Sequence, residues 1–187
     1  MRPEIPAVTV LAPIVAAMIV VLLRRLRGRD ALTGLRAATV VTACVYAAGV
    51  IGHTLFPIPL GPDPDAQPWY VWVNLVPFTD IVDDPSGLAL NVLLFVPLGV
   101  LLPLLASRVT VWRVLAAGAL TSLGIELVQL LADLAVGLRR VADIDDLIAN
   151  TAGALLGYAV FRLVTRVPAV AAVAERASWP ERKHAGA

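Results

Sequence analysis

Acid and amide side chains recur at helical spacing inside segments that are otherwise apolar. Glu126 and Gln129 stand three apart in one apolar run, and Asp143, Asp146 and Asn150 stand three and four apart at the opening of the next. On an α-helix each set shares one face. Asn91 adds an amide near the start of an earlier run, with Phe95 one turn further on. Carboxylate and amide oxygens suit a hard divalent cation such as Mg²⁺ or Ca²⁺. Arg140, close to Asp143, supplies the forked donor that fits a phosphate or carboxylate. The same side chains also have a structural use. Glu126 would pair with Arg139 or Arg140, Asp143 or Asp145 would cap the helix that follows, and Asn91 and Asn150 would bond between helices. The residue types leave all three uses open. No spacing among them is specific for a metal, so no cofactor is expected, with Mg²⁺ as the alternative.

Nucleophilic chemistry finds no pattern to rest on. The chain has no Gly-x-Ser-x-Gly and no His-Glu-x-x-His, and Ser86, Ser107 and Ser122 lack an activating neighbour in sequence. The single cysteine, Cys44, lies in an apolar run and reads as a small hydrophobe. His53 stands alone near the end of such a run and reads as an interhelical hydrogen bonder. No catalytic residue is assigned.

These groups must be positioned by elements that live in lipid. Hydrophobic residues make up 59% of the 187-residue chain and charged residues 16%, against roughly a quarter charged in a soluble domain. Crossing the hydrocarbon core takes about 20 apolar residues. Five runs qualify: Ile5–Leu23, Leu35–Ile51, Leu88–Ala106, Val111–Ala132 and Leu147–Val167. The fold class is therefore all-α, a polytopic transmembrane helix bundle over residues 1–167 with a tail at 168–187, and the bilayer is its first partner. No basic patch interleaved with aromatics occurs, which removes nucleic acid as a partner. The arginines near residue 25 follow the first run rather than precede it, the order of a membrane anchor rather than a cleaved leader. Gly153 and Gly157 form a Gly-x-x-x-Gly, which predicts close helix packing. Pro97 and Pro103 are expected to kink the third run and open space beside Asn91.

Charge sets the orientation. Arg24, Arg25, Arg27 and Arg29 crowd the first connection, and Arg108 and Arg113 the third. Arg162, Arg166, Arg176, Arg182 and Lys183 mark the C-terminal end, while Asp63, Asp65, Asp80, Asp83 and Asp84 fill a second connection free of Lys and Arg. The positive-inside rule then puts the C-terminus in the cytoplasm and the N-terminus outside. Arg139 and Arg140 sit discordantly on the outer side, among Asp133, Asp143, Asp145 and Asp146. Trp69-Tyr70-Val71-Trp72 reads as an interfacial aromatic belt. At about 1.5 Å per residue, Glu126 lies roughly 9 Å below the outer end of its run. Gln129, Asn91 and Asn150 fall near the same end of theirs, so one outward pocket is expected.

The chain resembles the VanZ-like family of bacterial membrane proteins. The resemblance runs through Asn74-Leu-Val-Pro-Phe78 and Asn91-Val-Leu-Leu-Phe95-Val-Pro97-Leu-Gly99. It continues in Ser122-Leu-Gly-Ile-Glu126-Leu-Val-Gln129 and Arg140-Val-Ala-Asp143-Ile-Asp-Asp146-Leu-Ile-Ala-Asn150-Thr151-Ala-Gly153. These blocks fall in roughly residues 70–160 and keep the family's order. The resemblance implies a multi-pass protein of the bacterial cell membrane, acting at its outer face on an envelope lipid or lipoglycopeptide, with low-level teicoplanin resistance as the family's phenotype. It also implies a set of polar motif positions: Asn74, Asn91, Glu126, Gln129, Arg140, Asp143, Asp146 and Asn150. The expected function is binding of an amphiphile or headgroup at the outer leaflet. A metal-dependent enzyme on a lipid-linked headgroup, and a structural bundle or partner subunit, are the alternatives.

Overall fold

In the computed structural model, residues 2–61, 67–79, 81 and 84–180 are described. Asp63, Asp65, Asp80, Asp83, Arg182 and Lys183, all counted in the orientation reading, lie outside them.

Five helices are long and apolar enough to cross a membrane: α1 (Ala7–Arg27), α2 (Gly34–Leu55), α3 (Pro85–Leu105), α4 (Val111–Val136) and α5 (Ile144–Val164). A short α6 (Pro168–Ala177) follows. The apolar runs located the spans, but α3 and α5 each begin three residues before the run that marks them. Their first turns are polar and therefore invisible to hydropathy, and they are fixed by caps. Asp84 accepts from the Gly87 N–H at 2.9 Å with Pro85 in the first turn, and Asp143 accepts from the Asp145 N–H at 2.8 Å. Thr33 and Thr110 cap α2 and α4 through the Arg36 and Arg113 N–H groups. α4 ends at Gly137, whose φ of 62° is left-handed and whose N–H returns to the Asp133 carbonyl at 2.7 Å.

The bundle is built on α3 and α5. Gly153 lies against the backbone of Val92 and Gly157 against that of Val96, so the two helices run parallel. A Cβ at Gly153 would stand 2.1 Å from the Val92 carbonyl oxygen, and one at Gly157 only 1.9 Å from that of Val96. The Gly-x-x-x-Gly thus does what its spacing predicts and brings backbone onto backbone. α3 continues as helix through Pro97 and Pro103. α4 packs antiparallel to α5, with Gly118 facing Ala154 and Ser122 facing Asn150. Phe95, Val114, Ala154 and Tyr158 form the core of this unit.

α1 and α2 make a second cluster around Leu26, Ala31, Val40 and Cys44, the cysteine buried as a small hydrophobe. The Tyr46 hydroxyl joins α2 to α3 by donating to the Leu94 carbonyl at 2.9 Å. The tail folds back rather than trailing. Thr39 donates to the Ala177 carbonyl at 3.0 Å, Arg36 to that of Ser178 at 2.9 Å, and the Trp179 N–H to that of Leu104 at 2.7 Å.

Two short ladders gather the opposite end. β1 (Glu4–Ile5) pairs antiparallel with β2 (Ile58–Pro59), tying the N-terminal segment to the connection after α2. β3 (Val73–Asn74) pairs parallel with β4 (Ala142–Asp143), placing the connection before α3 against the N-terminus of α5. Between them, Trp69–Trp72 form a single 3₁₀ turn that is mostly exposed, with the Trp69 and Tyr70 rings edge to face at 6.2 Å.

Candidate functional site

A cavity of about 260 Å³ opens between the ends of α2, α3, α4 and α5 on the side of the two ladders. Its lining holds Asn91 from α3, Glu126 and Gln129 from α4, Arg140 and Asp143 from the α4–α5 connection, and Asp146 and Asn150 from α5. Seven of the eight motif positions therefore share one cavity. The eighth, Asn74, stands behind it and donates to Oδ2 of Asp143 at 2.8 Å.

Asp143 is the organising residue. Oδ1 accepts from the Asp145 N–H, Oδ2 accepts from Asn74, and its own N–H donates to Oε2 of Glu126 at 3.1 Å. One residue thereby caps α5, holds the β3 strap and fixes a carboxylate on α4. Asp145, 1% exposed, faces the other way. It accepts from the Phe78 N–H at 2.6 Å, where Phe78 adopts a left-handed φ of 70°. A bulky residue rarely takes that conformation, so the buried carboxylate stabilises a strained turn next to the site.

The expected pairing of Glu126 with Arg139 or Arg140 is not what forms. Glu126 is buried and takes the Asp143 N–H, because the extended backbone entering α5 passes directly over α4. Arg140 instead leans across the mouth of the cavity, its guanidinium 3.4 Å from the His53 carbonyl. The expected interhelical amides are present: Asn91 donates to Oδ1 of Asp146, and Asn150 donates to Oγ of the fully buried Ser122 at 2.9 Å.

The floor of the cavity is rich in acceptors. Gln129, 6% exposed, donates from Nε2 to the Thr54 carbonyl at 3.0 Å and leaves Oε1 without a partner among the described residues. A carbonyl can only accept, so this bond fixes which end of the amide is nitrogen. Asn150, 4% exposed, leaves the other end of its amide without a partner among the described residues. Both residues line the cavity, and each keeps one amide atom buried beneath its surface without a partner among the described residues. Glu126 and Asp146 add carboxylates beside them.

Three lining residues with polar side chains lie outside the motif blocks. His53 and Thr54 come from the end of α2 and Asp84 from the cap of α3. Among the described residues the His53 imidazole makes no hydrogen bond. Its carbonyl does, so the expected side-chain role passes to the backbone. Asp84 accepts from the Gly87 N–H and from the Ser86 hydroxyl, which together hold its carboxyl below the ordinary carboxylate range. Among the described residues no group of three or more His, Cys, Asp or Glu side chains is arranged to hold a metal ion.

Comparison with protein families gives one match. A family model described as VanZ/LLP1 covers residues 43–165, from within α2 through the end of α5, and so contains every residue that lines the cavity. Comparison with curated proteins and with solved structures gave no match.

Proposed function

The chain belongs to the VanZ/LLP1 family, and we propose that it is a multi-pass membrane protein that binds an amphiphile by its headgroup in the polar cavity. The cavity opens at the outer leaflet, the side opposite the arginine-rich connections. Binding there modulates envelope properties or susceptibility to a lipid-tailed glycopeptide such as teicoplanin. The observation that supports this reading is the convergence of seven polar motif positions, from three helices and a connection, in one cavity. The Glu126 and Asp146 carboxylates in its lining favour a ligand that brings donors, such as an ammonium or a cluster of hydroxyls. Arg140 at the mouth supplies the complementary donor for a phosphate or carboxylate. A cavity of about 260 Å³ lies just below the usual range of small-molecule pockets, so it takes a headgroup and leaves the tail in lipid.

The test is teicoplanin susceptibility of a sensitive Gram-positive host carrying wild type, Glu126→Gln or Arg140→Ala at equal membrane abundance. Wild type raises resistance and both variants lose that effect. Variants that protect as well as wild type would put the activity elsewhere in the molecule. A wild type without effect would remove the drug from the reading, and envelope lipid composition becomes the quantity to compare.

A further inference from the structure

The other end of the bundle carries a second set of cavities with opposite chemistry. One, of about 300 Å³, is lined by Arg108, Arg162, Tyr158, Ser178 and Trp179. A second, of about 570 Å³, shares Arg162 and Tyr158 with it and adds Arg166. A third, of about 270 Å³, is apolar, lies among Met18, Leu22, Val40, Cys44 and Leu105, and shares Trp179 with the first. Among the described residues no carboxylate lines any of the three.

Arg162 is held in place by neutral partners. It donates to the Tyr158 hydroxyl at 3.2 Å with its guanidinium 5.9 Å from the ring centre, while that hydroxyl donates to the Val109 carbonyl at 3.1 Å. Its charge is positioned but not neutralised. Trp179 is equally fixed, by the bond from its N–H to Leu104 and by Arg29 at 6.0 Å from its ring. Trp179 is thus the wall shared by the basic and apolar cavities. Basic cavities between transmembrane helices are suited to acidic lipid headgroups.

We propose that this end holds an anionic phospholipid of the adjacent leaflet, its phosphate on Arg108 and Arg162 and one acyl chain in the apolar cavity beyond Trp179. The apolar cavity decides for a lipid over free phosphate, because a small anion leaves it unused. Position decides too, since the cavities lie where α3 and α5 end, at the depth where headgroup gives way to chain.

Native mass spectrometry of the detergent-solubilised full chain, given equal dioleoyl phosphatidylglycerol and dioleoyl phosphatidylcholine, tests this. Wild type should retain the anionic lipid about fivefold or more over the neutral one, a ratio worth roughly 1 kcal/mol. The double variant Arg108→Gln/Arg162→Gln should bring the ratio to about one. Arg108→Lys/Arg162→Lys should keep most of it. Ala47→Leu, which fills the apolar cavity, should weaken retention of both lipids. No preference in wild type, a preference that survives the Gln pair, or an equal loss in the Lys pair would overturn the assignment. So would thermal protection by inorganic phosphate alone that matches protection by the lipid.

Discussion

Asn74 and Asp143 are 69 positions apart in the chain and 2.8 Å apart in space, the amide of one donating to the carboxylate of the other. Their backbones are also paired, as the second register step of the β3–β4 ladder. The connection before α3 is thereby fastened to the cap of α5, and every other contact of Asp143 inherits that position. Asn74 lines no wall of the cavity and yet sets the residue whose N–H holds Glu126. Replacing it should therefore act on stability first. Asn74→Ala removes a hydrogen bond to a charged group, worth about 1.5–3 kcal/mol. Asn74→Asp should cost more, since it places like charges side by side. Thermal unfolding in detergent checks the order, and Asp equal to Ala would mean that the contact contributes little.

Gly153 and Gly157 make the sharpest packing prediction. Their Cβ positions are occupied by carbonyl oxygens of Val92 and Val96, which are backbone and cannot rotate away. Gly157→Ala should force α3 and α5 apart and lower folded yield severely. Gly49 and Gly124 are also helical glycines, but a Cβ on either meets nothing within 4 Å. Gly49→Ala and Gly124→Ala should be neutral or stabilise by up to about 1 kcal/mol. Equal yields at all three positions, read as monodisperse protein after solubilisation, would show that the close α3–α5 contact at Gly157 does not limit folding.

Glu126 separates structure from function. Its carboxylate accepts from the Asp143 N–H, and a glutamine carbonyl can do the same from the same position. Glu126→Gln should leave stability within about 1 kcal/mol of wild type. Glu126→Leu should lose about 1–3 kcal/mol, because the Asp143 N–H is then buried without a partner. Unfolding midpoints that fail to rank Gln above Leu would mean that water replaces the carboxylate.

The spans and most of the polar cluster were legible in the sequence for one reason: each is written in a single helix. Five apolar runs and the three- and four-residue spacings around Glu126, Asp143 and Asn150 need no knowledge of tertiary structure. What stayed hidden depends on segments meeting. Thr54 enters through a backbone carbonyl, which no side-chain pattern records. Asp84 looked like one more topological charge until the Gly87 N–H turned it into a cap. For Arg140 the sequence leaves ion pairing and headgroup contact both open, since carboxylates surround it. The extended backbone at Ala142–Asp143 delivers an N–H to Glu126 first. The return of the tail onto α2 was illegible too, since it rests on carbonyls of Ala177 and Ser178 at the end of an alanine-rich helix.

Asp84 predicts a local pH response. Its folded carboxyl lies below the ordinary value of 3.8 because the Gly87 N–H and Ser86 hydroxyl favour the charged form. A lowered folded value means that the cap contributes fully above the ordinary carboxylate range and is lost as pH falls through the lowered one. After correction for intrinsic exchange, protection of the Gly87 amide should be constant at neutral pH and fall on acidification below that range. Asp84→Asn should flatten the response, and an unchanged profile in that variant would assign it to another group.

Arg140 carries the last prediction. Among the described residues its guanidinium makes one hydrogen bond, to the His53 carbonyl, which is 3.4 Å long and lies at an exposed mouth. So long a bond in water contributes little, and exposed charges of this kind are typically worth less than about 1 kcal/mol to stability. Arg140→Ala should leave the unfolding midpoint almost unchanged. Binding of an amphiphile with a phosphate or carboxylate in its headgroup should nevertheless fall at least about tenfold, the loss expected for a charge-assisted contact. Arg140→Lys should recover part of it, since the charge returns without the fork. The same amphiphile with a neutral headgroup should bind wild type and variant alike. If Arg140→Ala instead lowers stability as much as Asn74→Ala, the guanidinium is a structural brace and the ligand lies deeper, on Gln129 and Asn150 alone.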